Sequence, residues 1–458
     1  MYFSQVIFLL NRIHLKLFAS ILFSICLIFQ DLSAQESDHR FRFDLSVRHR
    51  FELWNGFNAR NYGDGSSEAI GSLNDKLLLQ RIIPGITYSD KKITAGFHLQ
   101  DSRAFGWSLR DSEYPDLYRI CDGGADSPYY IMNPQEEFFE IYDLYVEFRE
   151  LFKNLTVKIG RQKIFYNDFR IFEPSLWGNA GRWNWDAVKI SYRKGENYID
   201  LFAGGTKINN PHKTSIPFTE TEFLGGGIYS HFRVKDWLVA EPFYAIKTPG
   251  STEFMQYHSI NRNWAGVKLF NPDEQNLIYD LVYVHEFGRE DGKRINAKGY
   301  VAKLGYRLSS LKAGPALSIG YSFASGGSSS FSDYTFDPVY GAKGKFYGWM
   351  SIVSWSNISR PEIVLEFRPT GNRTWIEMKY SLNYIPEPDG CQVLNTMKLI
   401  EGKHLLGNET DILIRYQPTD RWQFTGILGY FSPGDIEPIN YKTPEPATWI
   451  AFQVLFDL

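Results

Sequence analysis

From residue 40 onward, side chains alternate between apolar and polar with a period of two, and few folds can use that pattern over a whole chain. In residues 41–53 one face carries Phe41, Phe43, Leu45, Val47, His49, Phe51 and Leu53, and the other Arg42, Asp44, Ser46, Arg48, Arg50 and Glu52. Successive side chains of a strand point to opposite sides, so this is a strand with one greasy and one charged face. The pattern returns in residues 186–193 (Val188, Ile190 and Tyr192 against Lys189, Ser191 and Arg193) and in 298–308, where Lys303 and Arg307 are polar-side. It returns again in 375–384, and in 409–416, where Ile412, Ile414 and Tyr416 oppose Glu409, Asp411 and Arg415. Many segments of about ten residues of this kind are the signature of a transmembrane β-barrel, weak singly and strong together. A soluble sandwich uses the same period, but its inner face is normally built from more compact aliphatics than these aromatics.

Composition fits the barrel. Aromatic residues are 16% of the chain and glycines number 38, as aromatic girdles and glycine-permitted bends require. Mean hydropathy is −0.30, and a single apolar run approaches spanning length, which excludes a polytopic helical protein. That run, residues 17–29, follows Arg12 and Lys16 and precedes Ser33-Ala34. Basic flank, short apolar core and small residues make residues 1–34 a secretory signal peptide, cleaved after Ala34. Residues 35–458 then form one domain, without linker or repeat. The formal net charge of −3 gives no ground for nucleic-acid binding, so selectivity must come from where charges sit.

Connections come in two kinds. Residues 194–197 and 417–420 are short turns; residues 55–74, 103–134, 325–345 and 386–407 are long, polar and rich in Gly and Pro. That matches periplasmic turns and extracellular loops. The loops are expected at the surface, with one able to fold inward as a gate. The chain stops on an alternating strand, residues 450–458, placed to pair with the first strand and leave no edge.

No catalytic constellation emerges. His98, His231, His285 and His404 have no evident nucleophile beside them. Gly225-Gly226-Gly227 lies in a strand-like run with no helix behind it, unlike a dinucleotide loop. Residues 122–126 lack the spacing of a dedicated calcium site. No cofactor and no metal site is expected. Cys121 and Cys391 both fall in outer loops, and an oxidising compartment permits a bond between them.

Residues 155–193 are the most distinctive block. They contain Gly160-Arg161-Gln162, then Tyr166-Asn167-Asp168-Phe169-Arg170, then Arg182-Trp183-Asn184-Trp185-Asp186. Here the chain resembles the alginate-export family of outer-membrane barrels. That family has a Gly-Arg-Gln strand, a Tyr-Gly-Asp-x-Arg turn and an Arg-x-x-Asp leading into the next strand. This chain has Asn167 for the glycine and one residue more between Arg182 and Asp186. Residues 336–348 and 407–435 are also similar, with Gly344 where a histidine is common.

The resemblance implies an all-β antiparallel barrel of about 18 strands, with an arginine-lined pore for an anionic polysaccharide. A uronate polymer carries a carboxylate on each sugar, which the guanidinium fork grips. Candidate pore-lining residues are Arg48, Arg50, Arg81, Arg161, Gln162, Asp168, Arg170, Arg182, Asp186, Lys189, Lys303 and Arg415. Parity puts Arg48, Arg50, Lys189 and Lys303 on polar faces. Arg81 shares its face with Leu79 and Ile83. Arg161 shares its face with Val157 and Ile159, so either a bulge follows Gly160 or the strand has left the membrane zone there. Arg161, Asp168, Arg170, Arg182 and Asp186 are expected to form one cluster whose arginines can be removed without loss of folding.

The leading reading is a channel for an anionic polysaccharide or uronate-type sugar, with outer-membrane lipid, that sugar and periplasmic export components as partners. A general or substrate-specific porin for small solutes is the alternative. A barrel-embedded hydrolase and a soluble sandwich stand behind these.

Overall fold

The computed structural model describes residues 41–458 except 57–74, 107–134, 167–168, 175, 182, 211–212, 253–254, 256–257, 273–274, 342–344, 389–391, 394–396 and 439–445. The expected signal segment 1–34, Cys121, Cys391 and residues 122–126 therefore lie outside the described residues. Of the unit Met1–Arg42, only Phe41 and Arg42 are described, both exposed. The unit Phe43–Leu458 is all β.

In chain order the strands are β1 (Phe41–Asn55), β2 (Asp75–Ser89), β3 (Ile93–Phe105), β4 (Glu137–Phe152), β5 (Leu155–Lys163), β6 (Asn184–Lys194), β7 (Asn197–Thr206), β8 (Phe223–Lys235) and β9 (Leu238–Pro249). There follow β10 (Ile260–Phe270), β11 (Leu277–Glu290), β12 (Lys293–Arg307), β13 (Ala316–Ala324), β14 (Ser332–Asp333), β15 (Ile358–Phe367), β16 (Thr374–Tyr384), β17 (Gln392–Val393), β18 (Met397–Leu399), β19 (Leu405–Thr419), β20 (Trp422–Pro433), β21 (Ile436–Pro438) and β22 (Ala447–Asp457). Among the described residues, eighteen of these are long and pair antiparallel with their neighbours in turn. The barrel closes where β1 meets β22, from Ser46 opposite Asp457 to Asn55 opposite Thr448. The four short strands lie in connections: β14 pairs parallel with β12, and β17, β18 and β21 form a separate three-stranded ribbon.

Tight turns such as those at residues 153–154, 195–196 and 420–421 lie at the end that also holds the start of β1 and the end of β22. All the long connections lie at the other end, where β11 and β12 alone are joined by a tight hairpin.

The period of two is used as the sequence implies. Phe97, Val188, Ile190, Leu201, Leu281, Leu304, Ile319, Ile363, Tyr380, Ile414, Ile450 and Phe452 are all exposed, while their chain neighbours Ala187, Ser191, Phe202, Val282, Ser318, Val364, Leu413 and Ala451 are buried. So many exposed large apolar side chains around a closed wall would be untenable in water and are the lipid-facing band of a membrane barrel. The register makes a prediction. Ile190→Arg should cost roughly 2–4 kcal/mol if it lies near the bilayer midplane, whereas Ser191→Arg, on the inner face, should be mild. Urea unfolding from liposomes measures both; equal tolerance would refute the register.

The interior holds two inward loops where the sequence allows for one. Of the long loops expected at the surface with one able to fold inward, residues 325–345 are one that does, since Phe336, Val339 and Tyr340 have no exposed area. The connection 325–357 turns into the lumen and packs against the wall, and so does the connection 164–183, through Ile164, Ile171, Phe172 and Trp183. Their aromatic content is the physical reason: loops carrying Phe336, Tyr340, Tyr347 and Trp355 gain by leaving water.

Candidate functional site: a two-loop constriction in the lumen

The first inward loop, 164–183, is gripped by the wall through its backbone. Arg48 Nη1 donates to Leu176 O (2.8 Å), and its Nη2 to Gly178 O (2.6 Å) and Asn179 Oδ1 (3.2 Å). Arg50 Nη1 donates to Trp177 O at 2.5 Å while its guanidinium lies over the Trp177 ring. Arg81 Nη1 is within 3.4 Å of the same Leu176 and Gly178 oxygens. Gln100 and Ser102 donate to the carbonyls of Ala180 and Asn179. Neighbouring strands β1, β2 and β3 thus present a polar row to a loop whose orphan carbonyls need donors. Arg50 is neutralised by Glu52, 2.7 Å away. Among the described residues, Arg48 and Arg81 make no ion pair and donate to carbonyl or amide oxygens, leaving the Nε atom of each without a hydrogen bond.

The loop then reaches the far wall. Arg170 Nη1 meets Asp280 Oδ2 of β11 at 2.6 Å, with Lys268 Nζ 3.6 Å from the other oxygen. Tyr166 donates to Asp200 Oδ2 of β7 at 2.9 Å and stacks on Tyr229, ring centroids 3.9 Å apart.

The second loop, 325–357, pairs with the first. Tyr340 N donates to Ile171 O and Glu173 N to Tyr340 O, a parallel bridge between Phe172 and Tyr340. Lys247 of β9 fastens it: Nζ is 2.7 Å from Asp337 Oδ2 and 5.0–5.4 Å from the rings of Trp264, Tyr340, Phe223 and Trp183. Trp264 Nε1 donates to Asp337 O, and Glu286 accepts from Asp337 N. Further round the wall, Glu409 and Asp411 of β19 accept from the amides of Met350 and Trp349, at 3.0 and 3.3 Å.

The wall is recessed where Tyr340 seats. Gly160, Ala187, Gly204 and Gly225 are successive cross-strand partners on β5 to β8, followed by Lys247. A methyl group at Gly225 would fall 2.3 Å from the Tyr340 hydroxyl oxygen. Gly227, where a methyl group would fall 3.2 Å from the Phe172 ring, does the same for the first loop, so Gly225 and Gly227 clear space for the inward loops.

The sequence-derived residues are dispersed. Arg48, Arg50, Arg81 and Arg170 hold the first loop. Lys189 pairs with Asp200 at 2.9 Å, Lys303 with Glu366 at 3.3 Å, and Arg415 lies 5.0 Å over Trp375. Gln162 is buried against Ala187 O. Asp168 and Arg182 lie outside the described residues.

Neither ladder of β5 shifts register at Gly160 or Arg161, so Arg161 stays on the outward face of Ile159, opposite Asp186. The connection 207–222 covers the pair. Arg161 is bidentate to Asp186 (2.7 and 2.9 Å) and also meets Glu140 and Ser215, while Phe218 N donates to Asp186. The expected single cluster is therefore not assembled: Arg161 with Asp186 and Arg170 with Asp280 sit in separate networks.

Sequence reasoning missed Lys247, although its parity with Phe243 and Ala245 marks it as inward. It also missed Asn179, whose loop position carries no such signal. His98 lies between Asp143 (2.5 Å) and Asp44 (3.1 Å), and His231 on Glu241 (2.7 Å).

A family profile described as Alginate export matches residues 40–438. Among solved structures the chain is similar to Acinetobacter baumannii OccAB2, with 11% identity, a TM-score of 0.56 and 91% of this chain covered against 98% of that one. It is also similar to Pseudomonas aeruginosa OpdL, at 10% identity and a TM-score of 0.56, covering 91% and 98%. A third is Pseudomonas aeruginosa OccK11 (OpdR), at 12% identity and 0.52, covering 91% and 96%. At such identities the likeness is one of fold. No curated protein sequence matches the chain.

Proposed function

The chain belongs to the alginate-export family of outer-membrane β-barrel channels, and on that premise we propose that its cargo is an anionic polysaccharide or uronate-type sugar, passed through an arginine-lined lumen without a catalytic step. One observation carries the reading. Arg48 and Arg81, on adjacent strands of the inner wall, are nearly buried and make no ion pair among the described residues. Two such guanidiniums beside a constriction leave a positive potential, which low-dielectric walls focus on whatever passes. Carboxylates spaced along a polymer meet that potential in turn, and carbonyl partners keep the arginines from binding any one of them too tightly.

Reversal potentials test it. Wild-type channels should prefer anions despite the overall charge of −3. Arg48→Gln with Arg81→Gln keeps donors for the Leu176 and Gly178 carbonyls but removes two charges, and should move the reversal potential toward cation selectivity. An unmoved potential would make these arginines loop braces only. The small-solute alternative is favoured by the two loops that cross the lumen. It predicts block by monomeric galacturonate and none by the polymer, whereas the polysaccharide reading predicts stronger block by the polymer. Periplasmic export components, if they feed such a polymer, would meet the end bearing the tight turns.

A further inference from the structure

The constriction arginines are occupied by loop carbonyls, but other guanidiniums of the lumen keep spare donors. Two stand out, and they form a matched pair. Arg193, near the end of β6, is the cross-strand partner of Tyr198 at the start of β7, and its guanidinium lies 4.4 Å over that ring. Arg415 of β19 is the cross-strand partner of Trp375 at the start of β16, with its guanidinium 5.0 Å over the indole. All four are inward by parity. Both pairs lie at the tight-turn end. Seven long strands separate β7 from β16 in one direction, and seven separate β6 from β19 in the other. The pairs therefore face one another across the mouth.

Their charges are incompletely answered. Arg193 is more than half exposed and stands 3.8 Å from Asp200 Oδ1, too far for a hydrogen bond, while Lys189 and the Tyr166 hydroxyl hold the other oxygen. Arg415 makes no ion pair among the described residues, its Nε has no hydrogen bond, and the nearby Glu377 is engaged by Lys379 at 3.6 Å. Stacking fixes the plane of a guanidinium and orients its fork, without consuming N–H groups. An aromatic shelf thus prepares an arginine for a carboxylate that arrives from solution. On the Tyr198 side the shelf is itself braced, since His231 stacks on it with ring centroids 5.1 Å apart and is fixed by Glu241.

We propose that Arg193 on Tyr198 and Arg415 on Trp375 form a capture site for sugar carboxylates at the tight-turn mouth, distinct from the two-loop constriction. This rests on the anionic-cargo reading above. The arginines touch the carboxylate; Tyr198 and Trp375 are positioning residues.

The probe is a galacturonate oligomer added to either face of channels of known orientation in a planar bilayer. Tyr198→Ala with Trp375→Ala removes both shelves and no charge. It should raise the half-blocking concentration at the tight-turn face roughly tenfold, a loss of about 1.4 kcal/mol, leaving block from the other face and the reversal potential unchanged. Tyr198→Phe with Trp375→Phe should behave as wild type. Arg193→Gln with Arg415→Gln should lose the same block and also shift the reversal potential. Heat-modifiable migration checks that each variant has formed its barrel. Equal block in wild type and the double alanine variant overturns the site alone. A wild type that the oligomer blocks from neither face overturns the cargo reading and the site with it.

Discussion

Lys247→Met channels should open to a markedly higher and longer-lived conductance than wild type in planar bilayers. Lys247 is 3% exposed, its ammonium paired with Asp337 and enclosed by four rings. A methionine keeps much of the volume but removes the cation that meets Asp337 at 2.7 Å. Asp337 is a quarter exposed and keeps part of its hydration, so losing its partner costs less than in a fully buried pair, about 2 kcal/mol. The wall strands are held by their ladders, so that cost falls on the loop turn at residues 336–340. A change of that size moves an equilibrium between seated and released loop by about one and a half orders of magnitude. Lys235→Met, at an exposed lysine of β8, serves as control and should leave conductance unchanged. Wild-type conductance in Lys247→Met would mean that the Phe172–Tyr340 bridge and the hydrogen bonds to Trp264, Glu286, Glu409 and Asp411 hold the loop without the lysine.

Arg161→Ala should destabilise the barrel strongly, by about 3–5 kcal/mol. Arg161 and Asp186 are almost fully buried, Glu140 joins them, and Ser215 and Phe218 close over the group. The alanine would strand two carboxylates away from both water and cation. Urea unfolding from liposomes should show the loss. Arg161→Ala combined with Glu140→Gln and Asp186→Asn should recover a substantial part of it. A variant as stable as wild type would show that water reaches the carboxylates. This reverses what the sequence implies, where loss of this charge is harmless because a hydrated lumen takes its place. The register keeps Arg161 outward, beneath a loop that no local pattern could reveal.

The wall was legible because its physics is local. Which of Ile190 and Ser191 faces lipid follows from one strand read alone. Closure by the last strand was legible too, since an alternating terminus without a partner would be an exposed edge. The lumen was not, because its contacts join residues far apart in the chain: Arg48 with Gly178, Arg170 with Asp280, Lys247 with Asp337. One signal went unused. The run from Phe336 through Trp355 holds Val339, Tyr340, Phe346, Tyr347, Trp349 and Met350, more apolar surface than a loop in water tolerates. Burial of some kind was therefore written there, though not its partners.

The grip of β1, β2 and β3 on one end of the 164–183 loop, and of β11 on its other contact, also dictates an order in time. Contacts distant in sequence repay their closure entropy only after the intervening chain has been placed. Arg170 cannot find Asp280 until β11 stands in the wall, and Met350 cannot find Glu409 until β19 does. Strand insertion must therefore run ahead of the seating of these two loops, and each newly made molecule passes through an interval in which neither yet crosses its lumen. A cell making this protein in quantity should leak small solutes in proportion to its rate of synthesis rather than to the amount already assembled.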